Sequence, residues 1–269
     1  MISFPPCKIN LGLNVLSKRS DGYHNLETCF YPIPLTDALE IVPADAVSFN
    51  LSGNAIPGDA ADNLCLKAYR LLQKDFALPP VAIFLHKVIP SGAGLGGGSS
   101  DGAHTLRLLN HIFNLNLPAE KLKGYALQLG SDCPFFVEDK PMLGTGRGEI
   151  LTEISVKLSG KFLVLVKPDI HVSTAEAYGG VTPAVPSVRI KNTLETQSVA
   201  TWKEVLINDF EKSVFAKHPH IGAIKDNLYE HGALYASMSG SGSSVFGIFE
   251  KPVDLKRQFR DQFYWSSTL

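Results

Sequence analysis

Pro90-Ser-Gly-Ala-Gly-Leu-Gly-Gly-Gly-Ser-Ser-Asp101 is the segment on which the reading of this chain turns. Before it, residues 81–89 (Val-Ala-Ile-Phe-Leu-His-Lys-Val-Ile) are apolar and partly β-branched and read as a strand. After it, a helical pattern runs to about Phe113, with Ser99 or Ser100 expected as the N-cap. Glycines let a backbone approach a ligand closely and adopt positive φ. The start of the following helix offers unpaired N–H groups and the positive end of the helix dipole. Strand, glycine loop and helix together make a phosphate cradle. The loop carries little charge, so backbone donors and a metal must do most of the neutralising. A flexible linker has a similar composition but does not sit between a strong strand and a capped helix.

Two common nucleotide loops fail on context. Gly92, Gly94 and Gly97 satisfy G-x-G-x-x-G. A dinucleotide fold also needs a strand after the helix, ending in an acid about 20 residues on. Here Pro118 and a second helical pattern follow instead. A Walker loop needs Lys and then Ser or Thr after its last glycine, and this loop has Gly98-Ser99.

Working outward, residues 7–16 alternate: Ile9, Leu11, Leu13 and Val15 on one side, Lys8, Asn10, Gly12 and Asn14 on the other. Period two predicts a strand. A turn-rich loop with Asp21-Gly22 follows, then strands near 26–33, 38–42 and 47–51. A helix begins near Asp62-Asn63, with Asp62 expected as its cap. Another begins at Pro118 and stops at Gly130, with Leu122, Tyr125, Ala126 and Leu129 on its apolar stripe. The later part predicts a strand over 161–166, a helix over 219–231, and strands over 233–238 and 244–249 joined by Ser239-Gly-Ser-Gly-Ser243.

The chain has 269 residues, 45% hydrophobic and 19% charged, with a formal net charge of −1. That length predicts one large or two modest domains, and the composition is globular. The balanced charge gives no general pull toward nucleic acid or membrane, so an anion must be bound locally. Cys7, Cys29, Cys65 and Cys133 form no C-x-x-C pair, which argues against zinc or a disulfide framework and for reduced thiols in the cytoplasm. The first residues do not read as a signal peptide, and no run approaches the ~18 apolar residues of a membrane span.

Three segments stand out in order: Pro6-Cys-Lys8-Ile-Asn10-Leu-Gly-Leu, the loop Pro90–Asp101, and Ser237-Met-Ser-Gly-Ser-Gly-Ser-Ser244. Their arrangement resembles the GHMP superfamily of galactokinase, homoserine kinase, mevalonate kinase and phosphomevalonate kinase, over almost the whole chain. Lys8-Ile-Asn-Leu-Gly-Leu, Asp21-Gly-Tyr-His24 and Leu129-Gly-Ser-Asp-Cys-Pro-Phe-Phe136 look like the branch whose substrate carries a cytidine diphosphate group. The resemblance implies an α+β fold of two domains. Residues 1–153 would be similar to the second domain of ribosomal protein S5, and 154–269 would be ferredoxin-like. It also implies transfer of the γ-phosphoryl group of ATP, with Mg²⁺, to a substrate hydroxyl on the non-mevalonate route to isoprenoid precursors.

Site residues follow from the same resemblance. Asp132 is expected as the base and Lys8 as the cation that steadies the nucleophilic oxygen. ATP would lie on Pro90, Ser91, Gly92, Ala93, Gly94, Leu95, Gly96, Gly97, Gly98, Ser99 and Ser100, with Asn63 and Asn110 at the adenine. His24 would read the cytosine edge, with Phe30 and Tyr178 as stacking faces and Tyr23 and Asn10 in the same pocket. Gly240, Ser241 and Gly242 would contact the substrate phosphates. One departure is visible: the family reads Ser-Ser-Asp-Ala-Ala where this chain has Asp101-Gly102-Ala103. A helix-interior glycine costs about 0.8–1.0 kcal/mol against alanine.

Overall fold

The computed structural model describes residues 1–269. Its strands are β1 (Ile2–Ser3), β2 (Pro6–Lys18), β3 (His24–Thr36), β4 (Ala38–Pro43), β5 (Ser48–Gly53), β6 (Val81–Lys87), β7 (Met142–Gly146), β8 (Ile150–Glu153), β9 (Phe162–Lys167), β10 (Tyr235–Met238), β11 (Val245–Phe249) and β12 (Phe263–Thr268). Its helices are α1 (Leu64–Asp75), α2 (Gly97–Ile112), α3 (Ala119–Leu129), α4 (Thr174–Gly179), α5 (Ile190–Thr196), α6 (Glu211–Lys217) and α7 (Pro219–Glu230).

The chain forms two compact units, and neither is contiguous. Met1–Cys7, Leu35–Ser91 and Gly96–Lys140 make the first; Lys8–Pro34, Gly92–Leu95 and Pro141–Leu269 make the second. A linear division at 153/154 does not coincide with them. The reason lies in β2 and β3, which are early in sequence yet share a sheet, in the order β2-β3-β7-β8, with strands beyond Pro141.

In the first unit the sheet order is β1-β4-β6-β5, with β5 parallel to β6 and the remaining pairs antiparallel. Helices α1, α2 and α3 pack on one another, and α2 also lies against β4. The core joins Leu39, Ile41, Ile83 and Leu85 from the sheet to Leu72, Leu106, Leu109 and Ala126 from the helices. Gly102 has a packing role there: a Cβ on it would lie 3.0 Å from the Cβ of Leu64 and 3.4 Å from Leu129 Cδ1. Its helix penalty accompanies a close α1–α2 approach that alanine would crowd.

Helix starts differ from expectation in an instructive way. Asn63, not Asp62, caps α1, its Oδ1 accepting from the Cys65 N–H. Asp62 ends a short 3-10 turn instead. Helix α2 begins at Gly97 rather than after Ser99 or Ser100, with Gly96 as N-cap at φ 69° and no capping side chain. Glycine reaches that left-handed conformation at little cost, so the helix starts early and its first N–H groups are left uncapped.

In the second unit, the sheet β10-β11-β9-β12 is antiparallel throughout. Its core gathers Val164, Val166, Val245 and Met238 with Ile221, Ile224 and Leu228 of α7, and with Leu13 and Val15 of β2. The period-two pattern of β2 holds, but its polar side is buried too.

Candidate active site

Lys8 is 4% exposed. Its Nζ donates to Asn10 Oδ1 at 2.7 Å and to the Gly94 carbonyl at 3.0 Å, and sits 5.3 Å from the centroid of the Phe30 ring. Its backbone N–H donates to Leu95 O. A buried ammonium needs such partners, because taking it out of water unpaired is very unfavourable. Lys8 is thereby fixed against the tip of the glycine-rich loop.

The Ser239–Ser244 turn closes on the same loop tip. Ser239 Oγ donates to Gly94 O at 2.9 Å, and Ser244 N–H donates to Ala93 O at 3.3 Å. Asn208 holds the turn from behind, its Nδ2 donating 2.8 Å bonds to both Met238 O and Gly240 O. Gly94, Gly240 and Gly242 have φ of 74°, 55° and 89°, so glycine is required for this turn-on-loop packing.

His24 begins β3, and its ring stacks on Tyr178 of α4 with centroids 4.8 Å apart and planes 18° from parallel. Tyr178 in turn meets Phe210 edge-on. Tyr23 is 57% exposed, with the Arg147 guanidinium 4.9 Å above its ring. Phe30 lies elsewhere: it is 3% exposed, beneath Lys8 and against Gly144.

Within the first unit, the start of α2 presents Gly98, whose Cβ position faces open space, and Ser99. Ser100 is fully buried and its Oγ has no hydrogen-bond partner. Asp132 is the residue before a 3-10 turn, Cys133–Val137, as the Gly-Ser-Asp-Cys-Pro sequence suggests. Burial pushes the neighbouring Cys133 thiol up to about 12, so it is a thiol and not a thiolate nucleophile at neutral pH. All four cysteines are free and buried. Asn63 and Asn110 both serve helix ends. Asn63 caps α1, while Asn110 donates to Leu117 O and accepts from Leu117 N–H.

Sequence reasoning missed Thr28 and Asn208. Thr28 could have been noticed, with Glu27, as a polar residue inside a mainly apolar strand. Asn208 carries no sequence signal, because the backbone it holds is 30 to 32 residues away.

The N-terminal and C-terminal domain models of the GHMP kinases match residues 63–140 and 193–264. The chain belongs to the GHMP kinase family. It is 51% identical, over the full length of both chains, to the 4-diphosphocytidyl-2-C-methyl-D-erythritol kinase of Parabacteroides distasonis. It is 55% identical to the protein of the same name from Cytophaga hutchinsonii, over 93% of this chain and 92% of the other. A crystal structure of 4-(cytidine 5'-diphospho)-2C-methyl-D-erythritol kinase is similar over 99% of this chain and 98% of that one, with a TM-score of 0.85 and 31% identity. A mevalonate kinase crystal structure shares the fold at a TM-score of 0.75 and 15% identity, over 99% of this chain and 98% of that one. No helix is long and apolar enough to cross a membrane.

Proposed function

We propose that the chain transfers the γ-phosphoryl group of ATP to the 2-hydroxyl of 4-diphosphocytidyl-2-C-methyl-D-erythritol, in the cytoplasm, on the non-mevalonate route to isoprenoid precursors. The observation that carries the reading is the Lys8 ammonium held on the carbonyl of Gly94, inside the glycine-rich loop. Phosphoryl transfer asks for positioning and charge stabilisation more than for covalent help. The uncapped start of α2 offers N–H donors to phosphate oxygens. Asp132 takes the proton of the attacking hydroxyl, and Lys8 stabilises the negative charge that develops on its oxygen.

Mg²⁺ suits this chain as a companion of the nucleotide. No group of three or more His, Cys, Asp or Glu forms a metal cage. Magnesium commonly relies on waters and substrate phosphates with one or two protein ligands. The hydroxyl of Ser99 or Ser100, both in the first turn of α2, is the side chain that would contribute one. When bound, the ion would neutralise phosphate charge.

His24 and Tyr178 support a cytidine site. A ring already stacked on its partner is held in one orientation, and its remaining edge can bond a pyrimidine. Tyr23 offers a second aromatic face, and Gly240, Ser241 and Gly242 offer backbone to the substrate phosphates. The test is turnover with Mg-ATP and a panel of acceptors: the cytidine diphosphate substrate, homoserine and mevalonate. Phosphorylation of the cytidine substrate alone is expected. Faster turnover of either other acceptor would overturn the assignment.

A further inference from the structure

Asp37, Lys87 and Asp101 form a buried ion cluster in the first unit, with exposures of 1%, 3% and 2%. The Lys87 ammonium bonds Asp37 Oδ2, and it donates to Asp101 Oδ2 at 2.7 Å. Asp37 Oδ1 accepts from the N–H groups of Val88 and Ile89, at 2.6 and 2.9 Å. Those two residues are the first after β6. The other oxygen of Asp101 is buried without a hydrogen-bond partner, and its Oδ2 accepts from the Lys87 ammonium.

Placement gives the cluster its meaning. Lys87 ends β6 and Asp101 lies near the start of α2, so the cluster joins the two ends of the glycine-rich loop. The join is tight: a Cβ on Gly97 would lie 2.8 Å from Ile89 Cγ2 and 3.3 Å from Lys87 Nζ. Buried ion pairs are a poor source of net stability, since apolar residues of similar volume often replace them without loss. What such a cluster supplies is a defined geometry. An ammonium bonded to two fixed carboxyl groups accepts few arrangements, whereas an apolar contact at the same place could slide.

We propose that Lys87 is a positioning residue for ATP: with Asp37 and Asp101 it ties the end of β6 to the first turns of α2 and sets the spacing of the loop between them. This rests on the reading of that loop as the phosphate cradle. Lys87 is buried and acts through the backbone at residues 88–101. Loss of the tie raises the entropy of the free loop, so ATP must order it on binding and its affinity falls.

The test uses two variants of the full chain. Lys87→Met removes the ammonium, and Lys87→Met/Asp101→Asn also replaces the ionisable carboxyl left without its partner, so that a folded protein is available if the single variant fails to fold. In the folded variant the KM for ATP is expected to rise at least about tenfold, equivalent to about 1.4 kcal/mol. The KM of the cytidine substrate and kcat at saturating ATP should stay within about twofold, the signature of lost binding to one substrate. Hydrogen exchange at residues 90–98 should quicken without nucleotide, while β4 and β6 keep their protection. An unchanged KM for ATP in the folded double variant overturns the proposal. So does a parallel rise of both KM values with faster exchange throughout the unit, which marks a general structural role. Gly96→Val separates this from the cradle itself. Normal ATP binding in that variant would defeat the cradle reading, whereas lost binding there beside normal binding in the Lys87 variants would defeat only the role of Lys87.

Discussion

Gly94→Ala is the substitution for which the structure sets the magnitude most directly. A Cβ at this position would lie 2.0 Å from the carbonyl oxygen of Ser239 and 3.1 Å from that of Gly242. Both are backbone atoms, so no side-chain rotation relieves the clash, and the loop or the turn must move by more than an ångström. Residue 94 also has φ 74°, which costs an L-residue about 1–2 kcal/mol. Displacing the Gly94 carbonyl breaks the hydrogen bond from the Lys8 ammonium, about 1.5–3 kcal/mol, and that from Ser239 Oγ, about 0.5–1.5 kcal/mol. The stiffer unfolded chain of alanine returns about 0.4–1 kcal/mol. The net is a loss of about 2–6 kcal/mol, or a fall in melting temperature of about 4–11 °C for a chain of this size. Turnover should fall with it, because Lys8 loses the carbonyl that fixes it. Gly98→Ala is the control: nothing lies within 4 Å of its Cβ, so its melting temperature should not fall. Calorimetry and steady-state kinetics on both proteins test the argument. A Gly94→Ala protein that melts and turns over like the parent would refute it.

Asp132→Asn should keep the parent melting temperature and lose about 10²–10⁴-fold in turnover, the usual range for a general base; near-normal turnover in the folded variant removes Asp132 from that role. His24→Ala should weaken the cytidine substrate by the equivalent of one hydrogen bond, about 0.5–1.5 kcal/mol or more if a group is stranded, while ATP affinity measured in the same preparation stays put. Equal losses for both ligands with a lowered melting point would instead mark His24 as a packing residue. Asp101 gives a pH prediction. Burial, aided by the Asp37 charge and opposed by Lys87, pushes its carboxyl up to about 8. An unfolded aspartate titrates near ~3.9, so the native state holds this proton more tightly and the contribution is complete only below that pH. Stability should therefore decline as pH rises from about 4 to about 8, and Asp101→Asn should flatten that decline in urea titrations; an unchanged slope counts against the buried proton.

The elements legible in the sequence were those with a long or sharply punctuated pattern. β2 showed eight residues alternating apolar and polar, α2 followed a sharply marked glycine loop, and α3 showed an apolar stripe between a proline and a glycine. Helices α4, α5 and α6 have six or seven residues each, fewer than two full turns, so no stripe repeats and none was foreseen. The start of α2 was misplaced for a physical reason. Sequence rules look for a capping hydroxyl, but this helix starts without one, after a left-handed glycine. The interleaved units were out of reach because strand pairing of β3 with β7 joins residues more than a hundred positions apart.

The polar side of β2 carries the most specific chemistry the structure adds. A threonine hydroxyl has one proton, and Thr28 Oγ1 donates it to the Gly12 carbonyl at 2.6 Å. Toward Asn10 it can then only accept, so the Asn10 amide nitrogen faces Thr28 at 2.9 Å. That fixes the amide in one of its two orientations and turns its carbonyl to Lys8. Gly12, at φ 74°, packs against Ile190 and Leu206, where a Cβ would come within 3.1 to 3.3 Å of their side chains. The direction of the Lys8 ammonium is thus set through Asn10, the Gly12 carbonyl and Thr28 of β3, with Asn10 and Gly12 alternating with the core-facing Leu13 and Val15. A strand buried on both sides cannot slip by one residue without exchanging its core face for its chemical face. The alternation first visible in residues 7–16 therefore holds the register of the fold and the aim of Lys8 together.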